Sequence, residues 1–196
     1  MNNTEFYELN ADAFYGDTVT TDMIPLYERF LPLVRPGGRI LDAGCGSGRD
    51  TLAFLQRGYE VDAFDGSNEM VRRASALTGI EVRQLTFERL LETSLQNTYD
   101  AIWCCASLLH VERGTLPAVM RELCSALNPD GVMYASFKYG EGDRAKDGRW
   151  FTDLTEHTMK QIVATIERCE LQDCWVTDDQ RPGRADKWLN ATVRLV

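Results

Sequence analysis

The stretch ILDAGCGSGRD, Ile40 to Asp50, governs the reading of the whole chain. It begins as an apolar strand, turns through Gly44, Gly46 and Gly48, and opens into the helix-like run Asp50 to Arg57. A strand that turns through glycines into a helix is the first unit of a βαβ fold. Glycine permits positive φ and lets a ligand lie against bare backbone. The helix N-terminus behind such a loop favours a carboxylate or a phosphate.

Working outward, strand-like and helix-like segments alternate. Arg39–Gly44 is a first strand, and Gly58 suits the stop of the helix that follows it. Glu60–Asp65 is a second strand. Ser67 is placed to cap a helix that runs to about Leu77 and stops at Gly79. Glu81–Leu85 and the apolar Tyr99–Ala106 are a third and a fourth strand. Pro117 fits the first turn of a helix ending near Leu127. Asn128-Pro129-Asp130-Gly131 reads as a turn before a fifth strand, Val132–Phe137. A polar segment, Lys138 to Arg149, then leads to a helix over Glu156–Arg168 and to two closing strands, Leu171–Thr177 and Trp188–Leu195. The linker DDQRPGRAD between those strands predicts an antiparallel hairpin. Ahead of the sheet, Thr21–Val34 carries apolar residues at helical spacing, and Phe6–Tyr15 reads as a helix able to cover a pocket. The expectation is an α/β fold: one domain over residues 1–196, a parallel sheet with helices on both faces, an N-terminal helical cap over 1–35 and a lid over 138–155.

The chain has 196 residues, 44% hydrophobic and 26% charged, with a formal net charge of −9. That acidity argues against long nucleic acids and anionic membranes as partners. No apolar run is long enough to span a bilayer, and the polar start lacks a secretory pattern, so a cytoplasmic location is expected. Six cysteines form no C-x-x-C pair, and with two histidines no zinc site is expected.

Asp65 ends the second strand about 20 residues after the loop, where a carboxylate can accept both hydroxyls of a ribose. The glycine spacing is G-x-G-x-G, one residue tighter than the G-x-G-x-x-G of dinucleotide binders. The run Asp42-Ala43-Gly44-Cys45-Gly46-Ser47-Gly48, with Asp65, resembles motif I and the ribose acid of the class I S-adenosylmethionine-dependent methyltransferases. Glu81–Glu88 and Tyr99–Val111 resemble that family's third and fourth strands with their loops, and the closing hairpin resembles its last two strands. The resemblance implies a Rossmann-like, seven-stranded, mostly parallel sheet with an antiparallel C-terminal strand, S-adenosyl-L-methionine as cofactor, and methyl transfer to a small-molecule acceptor. Asp42, Gly44, Cys45, Gly46 and Arg49 fall on the loop, with Gly44 and Gly46 against the methionine part. Asp65 would hold the ribose, with Gly66, Ser67 and Met70 by the adenosine. Phe87 and Glu88 would border adenine, where many relatives carry Asp at one of the two positions. Ala106 and Ser107 would lie under the reacting end, and Tyr7 and Tyr15 near the methionine end.

A sulfonium already activates its methyl group, so a base is needed only if the acceptor must lose a proton. His110, after the fourth strand, is the candidate catalytic base, with a hydrogen-bonded structural histidine as the other reading. His110, Lys138, Tyr139, Arg149 and Arg181 are candidate acceptor-binding residues. Arg181, Arg184 and Lys187 together would favour an anionic acceptor. No N-P-P-Y or D-P-P-Y follows the fourth strand, which disfavours amino-group methylation of adenine, cytosine or glutamine. A non-catalytic cofactor-binding subunit and a nicotinamide-dependent oxidoreductase are the competing readings.

Overall fold

A computed structural model describes residues 3–93, 95, 98–179, 181 and 183–196. Its main sheet has seven strands: β1 (Arg39–Ala43), β2 (Glu60–Asp65), β3 (Arg83–Gln84), β4 (Tyr99–Cys104), β5 (Leu127–Lys138), β8 (Cys169–Asp178) and β9 (Lys187–Leu195). The spatial order is β3-β2-β1-β4-β5-β9-β8. Strands β1 to β5 are mutually parallel, and β9 lies antiparallel between β5 and β8. The order reverses between β1 and β4, so a crevice opens beyond their carboxyl ends, Ala43 and Cys104.

Period-2 alternation explains the two-sided burial. In β4, Ala101 and Trp103 face one core while Ile102 and Cys104 face the other; in β5, Val132 and Tyr134 oppose Met133, Ala135 and Phe137. The first core is aromatic. Trp103 stacks on Tyr134 at 4.0 Å and meets Phe30 and Phe54, from α3 (Ile24–Phe30) and α4 (Arg49–Gln56). The second core is mainly aliphatic, with Phe64, Tyr99, Phe137 and Phe151 among its side chains, and is covered by α6 (Phe87–Thr93), α7 (Leu116–Ser125) and α8 (Glu156–Val163).

Local chemistry sets the element ends. Gly58 and Gly79 have φ of +85° and +75°. Ser67 caps α5 (Asn68–Thr78), and Thr155 caps α8 through a capping box with Thr158.

Several expectations need correction. The segment read as one helix over Phe6–Tyr15 is two, α1 (Asn3–Leu9) and α2 (Ala11–Thr18). The stretch Thr21–Val34 narrows to α3 and a single 3₁₀ turn at Leu31–Leu33, where Pro32 cannot continue an α-helix. Strand β3 is only Arg83–Gln84, and α6 follows where no helix was expected. Asn128–Gly131 does not separate two elements: β5 passes through it with a register break, and Asp130 takes φ of +64°. Helix α8 ends at Val163, five residues before Arg168. The polar segment after β5 is a hairpin, β6 (Gly142–Lys146) and β7 (Arg149–Asp153). Asp147 and Gly148 make its two-residue turn with φ of +52° and +77°. Gln180 and Pro182 of the final linker lie outside the described residues. No helix among the described residues is long and apolar enough to cross a membrane, and no cluster of three or more His, Cys, Asp or Glu among them is placed to hold a metal ion.

Candidate functional site

A cleft of about 1170 Å³ occupies the crevice at the topological switch. Its floor is the loop after β1. Gly44, Gly46 and Gly48 all have positive φ, +78°, +53° and +80°. A Cβ on Gly44 would stand 2.5 Å from that of Ser107, so only glycine lets the β1 and β4 loops approach this closely.

The glycine loop and the acid at the end of β2 are bonded to each other. The Gly46 N–H donates to Asp65 Oδ2 at 2.8 Å, and the Ser67 N–H donates to Oδ1 at 2.9 Å. The N–H groups of Gly44 and Cys45 both donate to the Phe64 carbonyl. These amides therefore fix the loop against β2. Burial raises the Asp65 pKa, opposed by the N–H bonds from Ser67 and Gly46. Each carboxylate oxygen keeps a second lone pair for a ligand hydroxyl.

Below the loop lies a buried polar bracket. Asp50 takes both Arg49 Nε at 2.6 Å and Arg49 Nη2 at 2.9 Å, and also accepts from Tyr27 at 2.5 Å and from the Trp103 indole at 2.8 Å. Burial works against the Asp50 charge, but Arg49 and these hydrogen bonds hold its pKa below the usual carboxylate value. Asp42, bonded to Thr51 at 2.6 Å, is pushed the other way by burial and by the charge on Asp50.

The cap closes the other side. Glu8 accepts from the Asn68 and Glu69 N–H groups at the start of α5, and Asp12 pairs with Arg73 at 2.7 Å. Toward β7, the Asn3 amide accepts from Trp150 N–H at 2.7 Å and donates to the His110 carbonyl at 3.1 Å. The His110 ring bridges both walls: Nδ1 is 2.8 Å from the Trp150 carbonyl and Nε2 is 2.8 Å from the Tyr7 hydroxyl. A carbonyl only accepts, so Nδ1 carries the proton in the neutral ring, and Tyr7 donates to Nε2. Burial and the nearby Arg149 charge lower the His110 pKa to about 4, against the bond to Trp150.

Of the residues singled out in the sequence, Gly44, Cys45, Gly46, Arg49, Asp65, Gly66, Ser67, Met70, Phe87, Glu88, Ala106, Ser107, Tyr7, His110, Lys138, Arg149 and Arg181 all line this one cleft. Phe87 packs edge-on against Phe64 with centroids 5.5 Å apart. Ala106 has φ of +53°, a conformation rare without glycine, and its N–H is held by Ser136 Oγ at 2.8 Å. Ser107 Oγ is buried without a hydrogen-bond partner among the described residues.

Three of the expected residues do not form the wall. Asp42 lies beneath the loop. Tyr15 turns toward Arg73, and Tyr139 is 41% exposed on the surface. Lys138 and Arg181 reach the cleft but are already neutralised: Lys138 pairs with Asp186 at 2.7 Å and Asp179 at 3.3 Å, and Arg181 with Asp179 at 2.6 Å. Phe6 and Phe14 of the cap line the cleft without having been singled out. Their alternation with polar residues in the first 18 positions was the only available signal.

The model of the methyltransferase domain family matches residues 15–170. The chain belongs to the methyltransferase-domain family, with the class I sheet order. It is 34% identical over 105 residues to a glycine/sarcosine N-methyltransferase of Halorhodospira halochloris, covering 50% of this chain and 39% of that protein. It is 31% identical over 106 residues to a ubiquinone biosynthesis O-methyltransferase of Xanthomonas campestris pv. campestris, covering 52% of this chain and 43% of the relative. The matched stretch is thus less than half the length of either curated relative. The fold is shared with the Burkholderia thailandensis 1,6-didemethyltoxoflavin-N1-methyltransferase, solved with 1,6-didemethyltoxoflavin and S-adenosylhomocysteine. The TM-score is 0.75 at 22% identity, over 98% of this chain and 84% of that one.

Proposed function

We propose that residues 1–196 act as one S-adenosylmethionine-dependent methyltransferase domain on a small-molecule acceptor in the cytoplasm. The observation that carries the cofactor reading is the bond between the Gly46 N–H and Asp65, 2.8 Å long, which locks a bare-backbone loop to a carboxylate. The cleft fits the group. Asp65 offers lone pairs to the ribose hydroxyls, Met70, Phe87 and Glu88 border a space for a planar base, and the loop at Gly44 and Gly46 leaves room for the amino-acid end. The bound cofactor supplies an activated methyl group on a positively charged sulfur.

The chain's own work is to align and enclose. Ala106 and Ser107 form the floor between the cofactor loop and the acceptor side. Helix α1 and the β6–β7 hairpin close the mouth, tied together by Asn3 and His110. Tyr7 and His110 both line the cleft on the side of the cap and the hairpin. Tyr7 donates to His110 Nε2, so His110, held neutral by its burial, acts as a positioning residue that orients the Tyr7 hydroxyl. The acidity of the chain and the span of the cap favour a metabolite-sized acceptor over nucleic acid.

Incubation with methyl-labelled S-adenosylmethionine and a fractionated metabolite extract tests this reading. Label should pass to a small-molecule fraction, and Asp65→Ala should abolish the transfer. Tight binding of S-adenosylhomocysteine with no labelled product in any fraction would instead mark a non-catalytic subunit.

A further inference from the structure

The cations around the cleft are not equivalent. Arg49, Lys138, Arg144 and Arg181 each hold a carboxylate of the chain itself, at 2.6 to 2.7 Å. Arg149 lines the same cleft, half-buried, with no ion pair among the described residues. Its Nε is buried without a hydrogen-bond partner, and its guanidinium carbon lies 4.5 Å from the Phe6 ring centroid and 5.1 Å from that of Phe151. Ring faces attract the charge but do not replace the in-plane acceptors that guanidinium N–H groups require. A buried donor left unpaired is costly, and a carboxylate meeting it edge-on supplies two charge-assisted bonds. The surroundings are aromatic: Phe6 and Tyr7 come from the cap, Trp150 and Phe151 from the hairpin. The guanidinium also bears on the Tyr7 hydroxyl, but its Nε stays unpartnered, so Arg149 and its neighbours offer flat apolar contact beside a positive charge that no carboxylate among the described residues pairs.

We propose that Arg149, framed by Phe6 and Phe151, is the specificity determinant of the acceptor subsite, and that the acceptor is a planar organic anion whose acidic group pairs with this guanidinium. The proposal rests on the methyltransferase reading for the word acceptor. The binding chemistry of the subsite stands on Arg149 alone. Of the final linker's cations, Arg181 is spent on Asp179, so the acidic group is assigned to Arg149 rather than to Arg181.

Isothermal titration on protein saturated with S-adenosylhomocysteine tests it, with benzoate, benzamide and benzylamine as probes. Benzoate should bind at least tenfold more tightly than benzamide or benzylamine. Arg149→Met should weaken benzoate at least tenfold while leaving S-adenosylhomocysteine affinity within twofold, which also shows that the variant is folded. Equal binding of the three probes to the unaltered protein would overturn the proposal without reference to any variant. So would undiminished benzoate binding by Arg149→Met, or no benzoate binding at all. Failure of S-adenosylhomocysteine to bind the unaltered protein would sink the cofactor reading instead, and benzoate titrated without it would still report on Arg149.

Discussion

His110 shows how a residue's role depends on what its two nitrogens already do. The Trp150 carbonyl fixes the proton on Nδ1, so Nε2 is committed to the Tyr7 hydroxyl. Burial, and next to it the Arg149 charge, takes its pKa from 6.5 to about 4. A histidine whose folded pKa is depressed contributes stability that is complete above the unfolded pKa and is lost as pH falls through the folded one. Between about pH 6.5 and 4 the unfolded chain binds a proton that the folded chain refuses. Relative to its value at pH 7, stability at pH 4.5 should therefore be lower by a His110 share on the order of 2 kcal/mol. His110→Gln keeps a donor for Trp150 and an acceptor for Tyr7 but does not titrate. Urea denaturation at the two pH values should show a smaller loss in that variant; an identical loss would mean the histidine is not buried as a neutral ring. The same scale explains why the sequence pointed to His110 as a candidate base but not to Tyr7 as its hydrogen-bond partner. The partner of Nε2 comes from 103 residues away, and local pattern carries no trace of it.

At the scale of elements, helix α1 buries none of its residues and is held by polar contacts at both sides of the cleft. Glu8 places its carboxylate on the first N–H groups of α5, where the helix dipole favours it. Glu8→Gln should cost about 1 kcal/mol locally. It should speed hydrogen exchange over residues 3–18 while leaving strands β1, β4 and β5 protected. Unchanged exchange in the cap would show that Glu8 does not fasten it. Legibility divided along the same line. Ser67, Gly58 and Gly79 announced their helix boundaries, because caps and stops are local chemistry. Helix α6 and the β6–β7 hairpin were missed for a different reason. Phe87–Thr93 is too short to show a period, and the Asp147-Gly148 turn sat inside a charged segment, read as a lid, whose strands lack an apolar alternation.

The whole molecule follows from where apolar strands must go. Strands β1, β4 and β5 are covered on both faces, so they sit centrally, and the sheet order reverses between β1 and β4. That reversal puts the glycine loop, Asp65 and the Ala106–Ser107 floor around one cleft; the βα alternation along the chain implied the parallel sheet but not the strand order. The electrostatic balance inside the cleft was not legible. Counting Lys and Arg in the final linker suggested free positive charge, but Asp179 of that linker pairs with its Arg181, and Asp179 and Asp186 pair with Lys138 from the end of β5. Binding of S-adenosylhomocysteine by isothermal titration, with Asp65→Ala and NADH as comparisons, tests the central claim most directly. The account predicts saturable one-to-one binding that Asp65→Ala weakens at least tenfold, and weaker binding of NADH. Tighter binding of NADH, or no heat with S-adenosylhomocysteine at saturating concentration, would contradict it.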